Sequence, residues 1–365
     1  MNDVVVVGGG PAGLAVAIAS RLAGLSVEVL DRASPPIDKA CGEGLMPDGA
    51  ALLARWGVRL APSESARFVG IRFIDGALQA SGRFPAGSGL AVRRTALHTA
   101  LVERAEALGV TLRWSCRVDG LLPDGVSTAE ESMLGRFVVG ADGLHSRVRR
   151  WIGSEGRPAT WRRFGVRRDY ACAPWTDHVE VYWGDRCEAY VTGTGPTRVG
   201  IAMLWSGGTA DFDSLLTRFP ALAARLEGSA IASRDRGAGP LRQRVRAAVR
   251  GNVALVGDAA GYVDAITGEG LSVAFHEAHA LASAMAEGDL AGYARRHRAL
   301  RRLPDTMTHL LLLAEKHPRK RARFLRLLAL HPGLFERLLG VHSRQLPPSA
   351  VGAAGVLRLA ACILG

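Results

Sequence analysis

Gly8-Gly9-Gly10-Pro11-Ala12-Gly13 sets glycines at positions 8, 10 and 13, a spacing at which backbone can close around a pyrophosphate. Gly8 permits a tight turn, Gly10 permits close approach of the phosphate, and Gly13 lets the following helix pack against the preceding strand. Pro11 and Ala12 open that helix, whose free N–H groups face phosphate charge. Asp31 ends the next apolar run about twenty residues on, where a carboxylate can accept hydrogen bonds from a ribose, and Arg32 follows it. The four features together predict a dinucleotide site.

A second group of residues has reactive side chains. Cys41 lies in the glycine-rich run Lys39-Ala40-Cys41-Gly42-Glu43-Gly44-Leu45. The Lys39 charge would lower its thiol pKa and suit it to proton donation or contact with a bound cofactor; the alternative is a small buried hydrophobe. Glu43, and Glu269 in Thr267-Gly268-Glu269-Gly270, read as loop-orienting acceptors before they read as catalytic acids. His276 and His279 are three apart on one helix face without a third ligand at suitable spacing, so no metal is expected.

The elements that position these residues follow from hydrophobic periodicity. Residues 3–32 read as one βαβ unit, with strands at 3–7 and 25–30 around a small-residue helix at 11–23. A helix is expected within 91–108, a strand over 110–118 and another over 136–140. From 161 to 204 the pattern turns to short alternating β-type runs, and helical periodicity returns after Gly270. The expected fold is α/β: a Rossmann-type nucleotide domain from residues 1–66, 92–158 and 245–294, interleaved with an antiparallel β-sheet substrate domain from 67–91 and 159–244. A helical region, 295–365, closes the chain.

The sequence has 365 residues, 48% hydrophobic and 22% charged, which excludes a disordered chain. No basic leader precedes Val4, and no apolar stretch approaches the roughly 18 residues of a spanning helix. Five scattered cysteines (41, 116, 172, 187 and 362) without Cys-x-x-Cys spacing fit reduced thiols and a cytoplasmic setting. The net charge of +12 concentrates between Arg295 and Arg344, where thirteen lysines or arginines face three acids. That segment reads either as a solvated helix face capping the fold or as a peripheral contact for an anionic membrane. Nucleic acid is not expected as a partner, since no binding motif accompanies the charge.

Two later motifs specify the dinucleotide by resemblance. Val138-Val139-Gly140-Ala141-Asp142-Gly143-Leu144-His145-Ser146-Arg147-Val148-Arg149 resembles the Asp-Gly fingerprint of flavin hydroxylases related to p-hydroxybenzoate hydroxylase. Val253-Ala254-Leu255-Val256-Gly257-Asp258-Ala259-Ala260-Gly261 resembles their Gly-Asp motif, and Arg94 with Leu97 resembles the head of the intervening helix. The resemblance implies an FAD-binding domain of the glutathione-reductase-like type. It carries cofactor contacts onto Gly8, Gly10, Pro11, Ala12, Gly13, Asp31, Arg32, Cys41, Gly42, Arg94, Val118, Asp142, Gly257, Asp258, Gly268, Glu269, Gly270 and Leu271. No second dinucleotide fingerprint exists, so NAD(P)H is expected only as a transient reductant.

The chemistry divides three ways. Lys39-Ala40-Cys41-Gly42-Glu43-Gly44 and Thr267-Gly268-Glu269-Gly270 resemble segments of geranylgeranyl and menaquinone reductases of the same superfamily. Those reductases carry an aromatic Tyr-x-Trp-x-Phe-Pro segment, and halogenases a Trp-x-Trp-x-Ile-Pro one; this chain has Glu188-Ala189-Tyr190-Val191-Thr192-Gly193-Thr194-Gly195-Pro196 instead. On that balance the resemblance implies an FAD-dependent, NAD(P)H-consuming monooxygenase of secondary metabolism. It would hydroxylate a phenolic polyketide or lipid-like aromatic through a flavin C4a-hydroperoxide. The alternative is reduction of carbon–carbon double bonds in an isoprenoid or quinone, with Cys41 and Glu43 as candidate catalytic residues. A non-catalytic flavoprotein, acting as sensor or assembly partner, is the third reading.

Overall fold

The computed structural model describes residues 1–364. Five parallel strands form the spine of the first sheet, in the order Val253–Leu255, Ser132–Gly140, Asn2–Val7, Val27–Leu30, Thr111–Arg113. Val4, Val5 and Val6 are fully buried, as a strand covered on both faces requires. Helices Pro11–Leu22, Arg94–Ala107 and Gly270–Glu287 share a core with this sheet, through Leu14, Ile18, Leu101, Phe275 and Leu281. The single strand expected over 110–118 is two. The chain leaves the parallel sheet after Arg113, turns through Ser115 at a φ of +56°, and re-enters as Val118–Leu122 in an antiparallel hairpin. The Cys116 N–H donates to Asp31 O at 2.8 Å, tying this turn to the end of the second strand.

A second sheet of eight strands runs Ala230–Ile231, Arg163–Ala171, Arg198–Ser206, Cys187–Gly195, His178–Trp183, Gly70–Asp75, Leu78–Arg83, with Arg236–Ala238 also on Arg163–Ala171. Every pairing is antiparallel except His178–Trp183 with Gly70–Asp75. The fold is thus a Rossmann-type parallel sheet interleaved with an antiparallel one. One face of the second sheet packs on Phe212, Leu215 and Leu222. The other is covered by Pro318–Leu330 and Pro332–His342, whose Leu325 and Leu328 are fully buried and whose Phe335 stacks on Phe73 at 5.2 Å. The preceding helix, Leu290–Lys316, starts on the nucleotide half, where the Tyr293 hydroxyl donates to Leu255 O at 2.7 Å, and ends against the second sheet, where Leu312 is buried. No helix among the described residues is long and apolar enough to cross a membrane.

Candidate functional site

One continuous cavity of about 1010 Å³ runs from the glycine loop to the second sheet. Drug-sized ligands occupy roughly 300–1,000 Å³, so this space suits an extended cofactor with a substrate beside it.

The cradle end is built from backbone. A Cβ on Gly13 would sit 1.8 Å from Gly8 O, and one on Gly8, at φ +114°, would sit 2.4 Å from Ala141 O. These two glycines close the strand, helix and Asp-Gly loop on one another. Gly10 instead faces the cavity, where a Cβ would meet only Arg94 Nη2, at 3.8 Å. The Pro11–Leu22 helix starts here with no side-chain cap and no acid in its first turn, leaving its first N–H groups for an anion. Asp31 accepts from the N–H of Gly9 at 2.7 Å and of Ala33 at 2.8 Å, so it holds the loop as well as lining the cavity.

Two more loops complete the cradle. Asp142 accepts from the N–H groups of Arg147 at 2.6 Å and Val148 at 3.2 Å, while its buried Oδ1 has no partner. Asp258 lies on a turn that Gly257 enters at φ +61°, and burial pushes its carboxyl pKa up. Three residues fasten that turn. Glu277 accepts from Gly257 N–H at 2.7 Å and from Arg301 Nε at 2.6 Å; Arg301 also donates to Gly261 O at 2.6 Å and Gly257 O at 3.0 Å. The Arg301 guanidinium and His297 hold the Glu277 carboxyl down at about 2 despite complete burial. Arg149 joins the Asp-Gly and Gly-Asp loops by donating to Leu144 O at 2.9 Å and Ala259 O at 3.2 Å. Sequence reasoning missed all three: their partners lie far along the chain, and Arg301 was counted with the surface charge.

These residues fit FAD. The open glycine wall and uncapped helix suit the pyrophosphate, with the Arg94 guanidinium beside them and its buried Nε unpartnered. The Asp258 carboxylate, which makes no hydrogen bond among the described residues, suits a ribitol or ribose hydroxyl. Gly8, Gly10, Pro11, Ala12, Asp31, Arg32, Cys41, Gly42, Arg94, Val118, Asp142, Gly257, Asp258, Gly268, Gly270 and Leu271 all line the cavity. Gly13, Glu43 and Glu269 do not. Gly13 is closed over by Gly8; Glu269 turns toward His342, 3.6 Å away.

Glu43, at a φ of +59°, is buried behind the Cys41 loop, where its Oε1 accepts from Arg94 N–H at 2.9 Å and lies 3.3 Å from Arg167 Nη1. Burial, with Asp169 nearby, pushes it up to about 7. Thr192 Oγ1 donates to Gly42 O at 2.9 Å, pinning the loop to the second sheet. Cys41 corrects one expectation. Burial pushes its thiol pKa up and outweighs the Arg94 charge, so it is a protonated thiol and not an activated thiolate. The Lys39 ammonium is itself pushed down, by burial and by Arg94. His276 Nε2 lies 2.9 Å from Asp48 Oδ2, and no group of three or more candidate ligands among the described residues could hold a metal.

Beyond the loop the cavity becomes an apolar chamber. Ile71, Phe73 and Val181 line it from the sheet, and Leu311, Phe324 and Phe335 from the C-terminal helices. Tyr190 lines it as well, its hydroxyl donating to Ile266 O at 2.9 Å.

Comparisons with known proteins agree with this geometry. The model of the FAD binding domain family matches residues 1–211. The menaquinone reductase of Mycolicibacterium smegmatis is 31% identical over 328 residues, 80% of this chain and 78% of that one. The 6-methylpretetramide 4-monooxygenase of Streptomyces rimosus is 36% identical over 182 residues, 44% of this chain and 40% of that one. A flavoprotein/dehydrogenase of Cytophaga hutchinsonii shares the fold with a TM-score of 0.83 at 16% identity, covering 99% of each chain. The chain belongs to the FAD binding domain family and is an FAD-dependent oxidoreductase, of a kind for which NAD(P)H is the typical reductant.

Proposed function

We propose that this flavoprotein saturates a carbon–carbon double bond in the apolar part of a quinone or isoprenoid lipid. One observation carries the reading: the cofactor cradle opens directly into an apolar chamber, and a protonated thiol, Cys41, stands on their common wall. Adding hydrogen across an alkene needs a hydride at one carbon and a proton at the other. Flavin reduced by NAD(P)H supplies the hydride equivalent when bound. Burial keeps the proton on Cys41 Sγ at neutral pH, and the Glu43 N–H, donating to that sulfur at 3.3 Å, fixes its direction. Glu43, at about 7, gives the same loop a second exchangeable proton. The aliphatic and aromatic walls orient the substrate and exclude water. The reach of the comparisons supports this reading, since the likeness to the menaquinone reductase spans 80% of the chain and that to the monooxygenase 44%.

Hydroxylation of a phenolic ring is the second reading. What favours it is the absence, over Glu188–Pro196, of the aromatic segment of the reductases, together with the higher local identity to the monooxygenase. Mass spectrometry separates the two. With NAD(P)H and a menaquinone under anaerobic conditions, the product, reoxidised by air to the quinone, should retain two added hydrogens in its side chain. Cys41→Ser should lower that turnover on the order of a hundredfold or more, with the flavin spectrum intact. Incorporation of labelled dioxygen into an aromatic substrate, with no hydrogenation of the quinone, would replace reduction with hydroxylation.

A further inference from the structure

The final helix, Gly352–Leu364, packs along Pro318–Leu330. Cys362 Sγ lies 3.9 Å from Arg323 O, and a Cβ on Gly355 would lie 2.9 Å from Cδ1 of Leu334, in the first turn of the helix that follows Leu330, so Gly352–Leu364 runs antiparallel to Pro318–Leu330. That register brings Val356 level with Leu330. A helix on the surface of a globular protein turns polar residues to water. This one turns out Ala353, Ala354, Val356, Leu357 and Ala361, with Arg358 its one outward charge among the described residues. Leu330, Val356 and Leu357 are 75%, 55% and 70% exposed. Beside them Arg319, Arg323 and Arg326, spaced four and three apart, form an exposed basic row on the neighbouring helix. None of these three makes an ion pair among the described residues. On the inner side of that helix, Phe324 lines the chamber.

We propose that this face docks the protein peripherally on an anionic lipid surface. Gly352–Leu364 lies in the interface plane, with Leu330, Val356 and Leu357 in the acyl boundary and Arg319, Arg323, Arg326 and Arg358 on the headgroups. An apolar strip edged by cations, with no acidic side chain on the Gly352–Leu364 and Pro318–Leu330 helices that form it, matches an anionic bilayer on both counts. A second copy of the chain is a poorer occupant, because an isologous contact would set arginine rows beside each other. Nucleic acid would leave the leucines in water. The net charge of +12 adds long-range attraction to the same surface. Docking would hold the chamber wall beside the phase in which a lipid-like substrate resides, and the inference stands whichever reaction the flavin performs.

The test is sedimentation of the flavin-loaded, full-length protein with vesicles of phosphatidylcholine, with and without phosphatidylglycerol. Wild type should pellet with the anionic vesicles at low salt and be released at high salt. The L330S/V356S/L357S variant should lose about tenfold or more in partition, and R319Q/R323Q/R326Q about fivefold per arginine, both with unchanged flavin absorbance. Leu357→Ser alone serves if the triple variant loses its flavin. Absence of pelleting at low salt overturns the proposal. So does pelleting that the serine substitutions leave unchanged, which would make the attraction diffuse charge. A vesicle-independent dimer abolished by Leu357→Ser would give the face to a second copy of the chain.

Discussion

The two ends of the cavity use the same residue types to opposite effect. At the cradle, Gly8 and Gly13 are closed on by backbone, whereas Gly42, on the chamber-side loop, has nothing within 4 Å of where a Cβ would stand. The carboxylates differ in the same way. Glu277, under the Gly-Asp turn, has Arg301 and His297 to itself and stays ionised down to about 2. Glu188, under the second sheet, shares the single guanidinium of Arg163 with Asp264 and Glu315 and is pushed up to about 7. The role of a buried acid is set by how many cations it can claim. The Gly-Asp turn rests on a paired, ionised acid; the cluster around Arg163 in the second sheet stores a proton.

Exchanging glycines should break the contrast most sharply. Gly13→Ala forces a methyl group into Gly8 O and should cost about 4 kcal/mol or more, giving insoluble or flavin-free protein. Gly208→Ala, at a loop glycine outside the cavity that also has nothing within 4 Å of where a Cβ would stand, should keep its flavin and its melting temperature. Absorbance of the purified variants decides: flavin-loaded Gly13→Ala would mean that the cradle is not closed by backbone. Arg301→Met should come next. It leaves Glu277 buried without its guanidinium, at a cost of about 3–5 kcal/mol, and frees the turn that carries Asp258. Thermal denaturation and flavin retention should both fall. Arg302→Met, exposed and adjacent, should stay within about 0.5 kcal/mol of wild type.

The unequal legibility of the two ends has the same physical origin. The cradle was readable because turns, helix starts and strand ends depend on neighbours in sequence, so Gly8 to Gly13 with Asp31 announce themselves by spacing, and Asp142 and Asp258 by the resemblance of their local motifs. The ion pairs that hold those turns carry no local signature: Arg301 meets Gly257 and Arg149 meets Ala259 only in the folded chain. The basic segment after Arg295 misled by its count, since Arg301, Arg321 and Arg344 turn inward to Glu277, Asp75 and Asp48. Cys41 misled by its neighbour. Lys39 promises a lowered thiol pKa, but Cys41 is half-buried in the cavity wall, and desolvation outweighs the nearby charge. The chamber could not be read at all, because its walls come from two layers far apart in the chain.

The smallest expected effect tests the proton-storing cluster around Arg163. Arg163, 1% exposed, faces Glu188 at 2.6 Å, Asp264 at 3.0 Å and Glu315 at 3.2 Å. One cation cannot hold three buried carboxylates ionised. The guanidinium stays charged, and burial holds the Glu188 carboxyl at about 7, so it takes up a proton as pH falls through neutrality. Its folded pKa of about 7 stands above the ordinary 4.5, so between those values the folded state binds more protons than the unfolded one. The stability this contributes is complete below 4.5 and is lost as pH rises through 7. Glu43, with the same direction, acts in the same window. Glu188→Gln removes one titrating group and leaves Arg163 its other two partners. Urea denaturation from pH 5 to 8 should then show the fall in stability flattened, by about 1 kcal/mol per pH unit at most. An unchanged slope would mean that the proton lies elsewhere in the cluster, and the same measurement on Asp264→Asn would find it.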